Sequence, residues 1–470
     1  MLALHVKRAL LSILILSLYY CSPQFQPNQQ AALVTIPLEQ PLTTLDPWLC
    51  TSESCATVIS ASHRRLYRVF ENKIVGDLVQ QEQRFNGKTI LKLTEGLTFR
   101  DGTSLTAPLI QEYFSQFRAN GRQGWILQGI RSIKSKSMFE LEVNHAGSFD
   151  LIKSRLALPQ MSIFKRKAKE IMSLSFVSVA LDPDRVVLTD NKSSIHMPII
   201  VDAASRYFFF RSGNLDSFRA RGIYRMLPLP GTDFKKMDQE SLSVLYGAIV
   251  AGSNQALSSL SFRQRLNKQF DRKAVCTKSL LSACLPLAQP VPVSLSATRI
   301  DSEKLWHNTD QDYPKAKIMV YTAADRDRQL IATYLVSVIE SLGLSATSKV
   351  LENATLYRYN NEQRPGIYLL KWVADYPHAE NFLMPLFYSK NSGSGGNRAW
   401  FNDPVIDSQL LSSQFNPESV TRLQRAIIAK APWVFIGSQQ ERLMNRNKAR
   451  TPGFPMSYYE WHPTVFDLLR

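Results

Sequence analysis

The stretch KIMVYTAADRDRQLIATYLVSVIESLGLSATSKV, residues 317–350, decides the fold class. Lys317 to Tyr321 is a short β-type run. From Asp325 to Leu342, residues Leu330, Ile331, Tyr334, Leu335, Val338 and Ile339 recur at three- and four-residue spacing, which is the periodicity of one helix face. Gly343 stands where a helix closes in the left-handed conformation, and Leu344 to Val350 resumes a strand. Strand, helix and strand joined by short loops predict a right-handed crossover between two parallel strands, hence an α/β chain. Asp325 and Asp327 read as a solvated helix start rather than an acid/base pair.

Working outward, Gly366 to Trp372 is a further apolar strand. Asn416-Pro417 opens a helix carrying Val420, Leu423, Ile427 and Ile428, which Pro432 stops. SGSGG at 392–396 reads as a short floppy linker. Upstream, Val34 to Leu38 is a short strand leading to Leu45-Asp46-Pro47, and Thr89 to Leu93 alternates toward a turn at Phe99 to Thr103. Thr106 then caps a helix with Leu109, Ile110, Tyr113, Phe114 and Phe117 on one face. Val186 to Leu188 and Ile199 to Val201 read as strands before a helix from about Ala203, and Phe262 to Phe270 reads as a basic helix.

The whole chain has 470 residues, about three domains' worth, and its 44% hydrophobic and 20% charged composition is that of a globular protein. Net charge is +17; residues 1–20 supply only Lys7 and Arg8 of that excess, leaving +15 on the remainder. His5, Lys7 and Arg8 precede an apolar run from Ala9 to Leu18, so residues 1–20 read as a secretion signal, too short to span a bilayer. Cys21, three residues after Leu18, resembles a lipidation site, with 21–32 as a polar tether. Tyr19 and Tyr20 stand where such a site has small residues, so ordinary cleavage and an uncleaved anchor remain as alternatives. Export to an oxidising compartment makes the remaining cysteines two local disulfide pairs, Cys50 with Cys55 and Cys276 with Cys284. Zinc is the rival, though neither spacing is CxxC and no His pair is near; pairing across the two loops stays open.

Catalytic chemistry finds little support. The seven histidines are never four apart, and no GxSxG, GxxxxGK or complete GxGxxG occurs. No catalytic residue, metal site or cofactor is therefore assigned. The dense basic cluster Lys165 to Lys169 reads, in an exported chain, as a solvated or envelope-facing surface rather than a nucleic-acid site.

Several blocks occur in one order: Thr44-Leu45-Asp46-Pro47; Leu91-Lys92-Leu93 with Gly96-Leu97-Thr98-Phe99-Arg100-Asp101-Gly102-Thr103; Ser212-Gly213-Asn214-Leu215-Asp216; and Phe262 to Arg272. Lys371-Trp372-Val373-Ala374-Asp375-Tyr376-Pro377 with Asn381-Phe382-Leu383, then Phe401 to Pro404 with Asp407, complete the series. Over roughly residues 33–440 the chain resembles extracellular solute-binding protein family 5, the dipeptide, oligopeptide and nickel type that serves ABC importers. The resemblance implies a periplasmic binding protein-like class II fold, α/β and two-lobed, with an additional inserted domain. Lobe I would combine 33–47, 156–245 and 431–470, the insert would be 48–155, and lobe II 246–430.

The resemblance also implies that Asp375 pairs with a ligand ammonium while the neighbouring strand meets the ligand backbone, and that Trp372, Tyr376 and Lys371 of the same segment lie at the ligand. Thr51, Ser52 and Glu53 would sit on a second ligand-facing strand, stiffened by the cysteine loop. Partners would be a small-molecule or peptide ligand, an ABC permease and, through Cys21, the membrane; nucleic acid would be none, and the protein a monomer in the periplasm or cell envelope. The family's GTGPY block is missing between Leu174 and Val187, and His378 and Ala379 replace its usual Asp-Pro. These departures leave the cargo open among peptides, sugars, metal chelates and others, with peptide the first expectation from Asp375. An exported hydrolase, or a binding fold repurposed as sensor or scaffold, is the rival.

Overall fold

The computed structural model describes residues 32–446 except residues 51, 71–72, 121–123, 168–169, 175–176, 190–192, 221–223, 225–226, 229–233, 279–283, 297 and 308–315. The leader, Cys21, the tether, Thr51, part of the segment that replaces GTGPY and residues 447–470 lie outside the described residues. Among those described, no helix is long and apolar enough to cross a membrane.

One strand of 14 residues, Trp433–Arg446, organises the molecule. Its first part is antiparallel to Ser243–Val250, and its second part pairs with Ser217–Ala220 and Phe234–Glu240. Ser243–Val250 continues the sheet into Gly366–Val373, which runs parallel to Lys317–Ala323, itself parallel to Ser345–Leu351. The last two flank the helix Arg326–Ser341, so the strand–helix–strand unit is built as the sequence predicts. Asp325 caps that helix by accepting from the Arg328 amide, and Gly343 follows its end at φ +86°.

Alternation along the strands sends side chains to two faces. Tyr246, Ala248, Tyr368 and Leu370 pack under the helices Glu380–Phe387, Pro404–Ser412 and Pro417–Lys430. Ile249, Ile318, Val320, Ile367 and Leu369 pack under Leu260–Gln269 and Arg326–Ser341. Residues 433–437 therefore share a sheet with 243–250 and 366–373, and the passage to the other half of the molecule falls later. It lies where Ser241 to Ser243 crosses Ser438 and Gln439. There the Ser241 amide donates to Gln439 O (2.8 Å), the Gln439 amide to Ser243 Oγ (3.4 Å) and Ser438 Oγ to Ser241 O (3.2 Å).

Beyond the crossing, Ala32–Thr35 runs parallel to Ser193–Pro198, which continues into Arg185–Thr189 and Ser178–Asp182. A separate sheet of Val79–Phe85, Lys88–Leu93, Glu140–His145 and Ile130–Ser135 packs with the helix Ala107–Asn120. Leu91, Ile110, Phe114, Phe117, Leu141 and Val143 form its core, which Leu158, Ile163 and Phe164 join from beyond residue 156.

Helix Glu53–Ser62 is buried along all ten residues because it is shared: Cys55, Ala56 and Ile59 face that core, Val58 and Ala61 the small sheet. The expectation of a ligand-facing strand is thus corrected at Ser52 and Glu53, while Thr51 lies outside the described residues. Ser52 is an N-cap that accepts from the Cys55 amide, and Glu53 turns inward to Arg219. Two further corrections follow. Ile199 to Val201 is not a strand, since the ladder ends at Pro198 and Ile199 makes only an isolated bridge to Leu38. SGSGG is not a floppy linker: two short helical turns hold it, and Cβ atoms at Gly393 and Gly396 would fall 2.9 Å from the Trp400 ring and 2.7 Å from Pro385 O.

Both disulfides form within their own loops, Cys50–Cys55 and Cys276–Cys284, which closes the zinc and cross-pairing alternatives. The second bond lies against Gly437, beside the crossing. Beyond the crossing, Arg219 is buried among Glu39 (3.3 Å), Glu441 (3.5 Å) and Glu53, and Glu39 also meets Arg206 at 3.4 Å.

Candidate functional site

Strand Gly366–Val373 begins in an apolar run that both faces of the sheet bury and ends at the rim. In an open α/β sheet, ligands gather outside the carboxyl ends of such strands. Ala374 closes the strand by donating its amide to Leu242 O (2.7 Å). The chain then turns tightly, His378 N to Tyr376 O (2.8 Å) and Asn381 N to His378 O (3.1 Å), into the helix Glu380–Phe387. That turn holds Asp375 at the wall of a cavity of about 590 Å³.

Asn381, almost fully buried, fixes Asp375 from both sides: its Oδ1 accepts from the Asp375 amide (2.9 Å) and its Nδ2 donates to Asp375 Oδ2 (3.3 Å). No cation pairs with the Asp375 carboxylate among the described residues. Burial pushes its pKa up to about 6, against the Asn381 hydrogen bond and with help from the Glu380 charge. Trp372 and Tyr376 line the same cavity, and the Trp372 indole nitrogen is buried with no hydrogen-bond partner among the described residues. Met384, Pro385 and Leu411 supply an apolar wall, while Tyr388, Asn391 and Gly395 bring the glycine-rich segment to the rim.

The far wall comes from the separate four-stranded unit, through Gln128 and Arg155. Arg155 Nη2 meets Glu380 Oε1 at 3.1 Å, with both side chains about 6% exposed, and Arg155 Nη1 donates to Gln128 O (2.8 Å). Tyr376 hydroxyl donates to Glu380 Oε2, and its ring sits in the core of that unit. His378, beside this contact, is held near pKa 4 by burial and by the Arg155 charge.

Lys371 is separated from this group. Successive strand residues face opposite sides, so Lys371 lines a second cavity of about 470 Å³ with Asp325, Asp327 and Tyr357, and donates to Gln439 Oε1 (2.9 Å). Ser52 and Glu53 lie with Arg219, away from both cavities. The sequence thus brings Asp375, Trp372 and Tyr376 together and misses Arg155, Gln128 and Glu380. One signal for Arg155 exists: it falls on the apolar face of the helix Phe149–Leu156, among Phe149, Ile152 and Leu156, where an arginine needs a buried partner.

Residues 189–394 match the family model described as bacterial extracellular solute-binding proteins, family 5 middle. Over that stretch, a little under half of its length, the chain is similar to this family. No curated protein is significantly similar to it in sequence. Its fold is shared with the oligopeptide-binding protein AppA of Bacillus subtilis, solved with a nonapeptide, at TM-score 0.69 and 14% identity, covering 94% of this chain and 98% of that one. The dipeptide-binding protein of Pseudoalteromonas sp. SM9913, solved with Met-Leu, aligns at TM-score 0.72 and 14% identity over 92% and 99%. NikA of Brucella suis, solved with Fe(III)-EDTA, aligns at TM-score 0.75 and 13% identity over 92% and 99%. The chain therefore has the periplasmic binding protein-like α/β architecture expected of it.

Proposed function

We propose that this chain is a family 5 solute-binding protein that captures a short peptide between its lobes and delivers it to an ABC importer permease, and that it catalyses no reaction. One observation carries the peptide assignment: Asp375 is a desolvated carboxylate at a cavity wall with an amide partner and no cationic one. A ligand α-ammonium supplies the missing charge, and a charge-assisted bond of this kind contributes about 1.5–3 kcal/mol. The rim of strand Gly366–Val373 offers main-chain groups that recognise any peptide sequence. Support comes from the relatives solved with a nonapeptide and with Met-Leu. On this view the segments on either side of the crossing at 241–243 and 438–439 are the moving lobes, with the unit around 79–145 as the insert.

The test is thermal unfolding with a mixed dipeptide and tripeptide pool. The wild type should gain several degrees and Asp375→Ala should not. Absence of any gain in the wild type, with N-acetylated and free peptides behaving alike, would sink the peptide assignment. Export and lipid attachment at Cys21 are proposed alongside; metabolic labelling with a fatty acid, lost in Cys21→Ser, checks the latter.

A further inference from the structure

Among the described residues, three charged groups line the Asp375 cavity: Asp375, Glu380 and Arg155. Arg155 is not a neighbour in the fold of the other two. It arrives from the helix Phe149–Leu156 of the separate unit and is buried against Glu380, with its guanidinium 6.0 Å from the Tyr376 ring centroid. Tyr376 reaches the opposite way, from the Asp375 turn into the core of Arg155's own unit, and hydrogen-bonds the same Glu380. The contact is therefore reciprocal and dry, and it closes one end of the cavity. It also spends one carboxylate on an internal cation, leaving one negative charge uncompensated, at Asp375.

We propose that Arg155 is a specificity-determining residue that acts as a built-in cation: by occupying Glu380 it clasps the two units together and restricts the site to ligands presenting a single cationic group beside Asp375. An incoming second cation would find Glu380 already paired and no other carboxylate to meet it, and a buried cation without a partner is costly. The ligand class is then a peptide with a free amino terminus and an uncharged first side chain, which the wall of Met384, Pro385 and Leu411 suits. This inference rests on the peptide assignment for its ligand, though not for the clasp.

The experiment compares wild type, Arg155→Met and the double variant Arg155→Met/Glu380→Gln, the last removing both buried charges so that neither is stranded. Calorimetric titration with alanyl-leucine and lysyl-leucine reads the selectivity, and the spin-label distance between the two units in ligand-free protein reads the clasp. The wild type should prefer alanyl-leucine at least tenfold. Arg155→Met should cut that ratio at least tenfold by exposing Glu380, and the double variant should restore it, since one uncompensated carboxylate remains. Both variants should lengthen or broaden the distance distribution. An unchanged ratio in Arg155→Met, with binding intact, overturns the charge role while leaving the peptide assignment standing. If the wild type binds neither peptide, the peptide assignment fails, and the selectivity with it. An unchanged distance overturns the clasp in either case.

Discussion

Asp375 is a residue whose surroundings oppose its own charge until something cationic arrives. Its folded pKa, about 6, lies above the ordinary carboxylate value of 3.8, so the folded chain binds that proton more tightly than the unfolded chain does. The favourable contribution of the protonated form is complete below about pH 4 and is lost as pH rises through about 6. Asp375→Asn should accordingly stabilise the ligand-free protein at pH 7.5 by about 3 kcal/mol, with the gain vanishing below about pH 4, as urea unfolding across that range will show. Ligand affinity should move oppositely, rising from pH 5 to 7 and then levelling, because a proton and an ammonium compete for one carboxylate. Among the residues that line the Asp375 cavity, Asp375, Trp372 and Tyr376 were grouped by one sequence block. Lys371 was misplaced by the same block because strand neighbours diverge to opposite faces, which a motif does not encode.

Single elements carry tighter constraints than their sequences suggest. The strand Trp433–Arg446 serves two groups of partners, and at Gly437 it has no room for a side chain: a Cβ there would lie 2.7 Å from Leu285 O and 3.1 Å from Cys276 Sγ. Gly437→Ala should cost about 1–3 kcal/mol in urea unfolding by forcing these groups apart. Removal of the adjacent Cys276–Cys284 bond, as a double Ala variant, should lower stability by about 2 kcal/mol through the larger freedom of the unfolded chain. The helix Glu53–Ser62 shows the limit of pattern. Its polar residues Glu53, Thr57 and Ser60 recur on one face yet are buried like the rest, so the pattern points to no solvent side, and the strand expected at its start gives way to the Ser52 cap.

At the scale of the whole molecule, two buried ionic contacts join segments far apart in sequence. Arg155 with Glu380 ties the four-stranded unit to the large sheet. Arg219, with Glu39, Glu53 and Glu441, ties the shared helix and the small sheet to the far end of the long strand. Arg219→Met leaves three buried carboxylates with one guanidinium fewer and should destabilise the protein by about 3–5 kcal/mol at neutral pH, measured by urea unfolding. The sequence singled out neither arginine, because a net charge of +17 does not say which cations are paired inside.

By itself the sequence determined what short-range chemistry settles: the strand–helix–strand unit at 317–351, the helix caps at Asp325 and Asn416, the two cysteine loops, and an aspartate at a strand end. These depend on periodicity, capping and loop closure over a few residues, all local quantities. Only the tertiary structure decided which carboxylate stays without a cation. That outcome depends on Arg155, 220 positions before Asp375, choosing Glu380 instead, a choice made by burial and distance that no local pattern records.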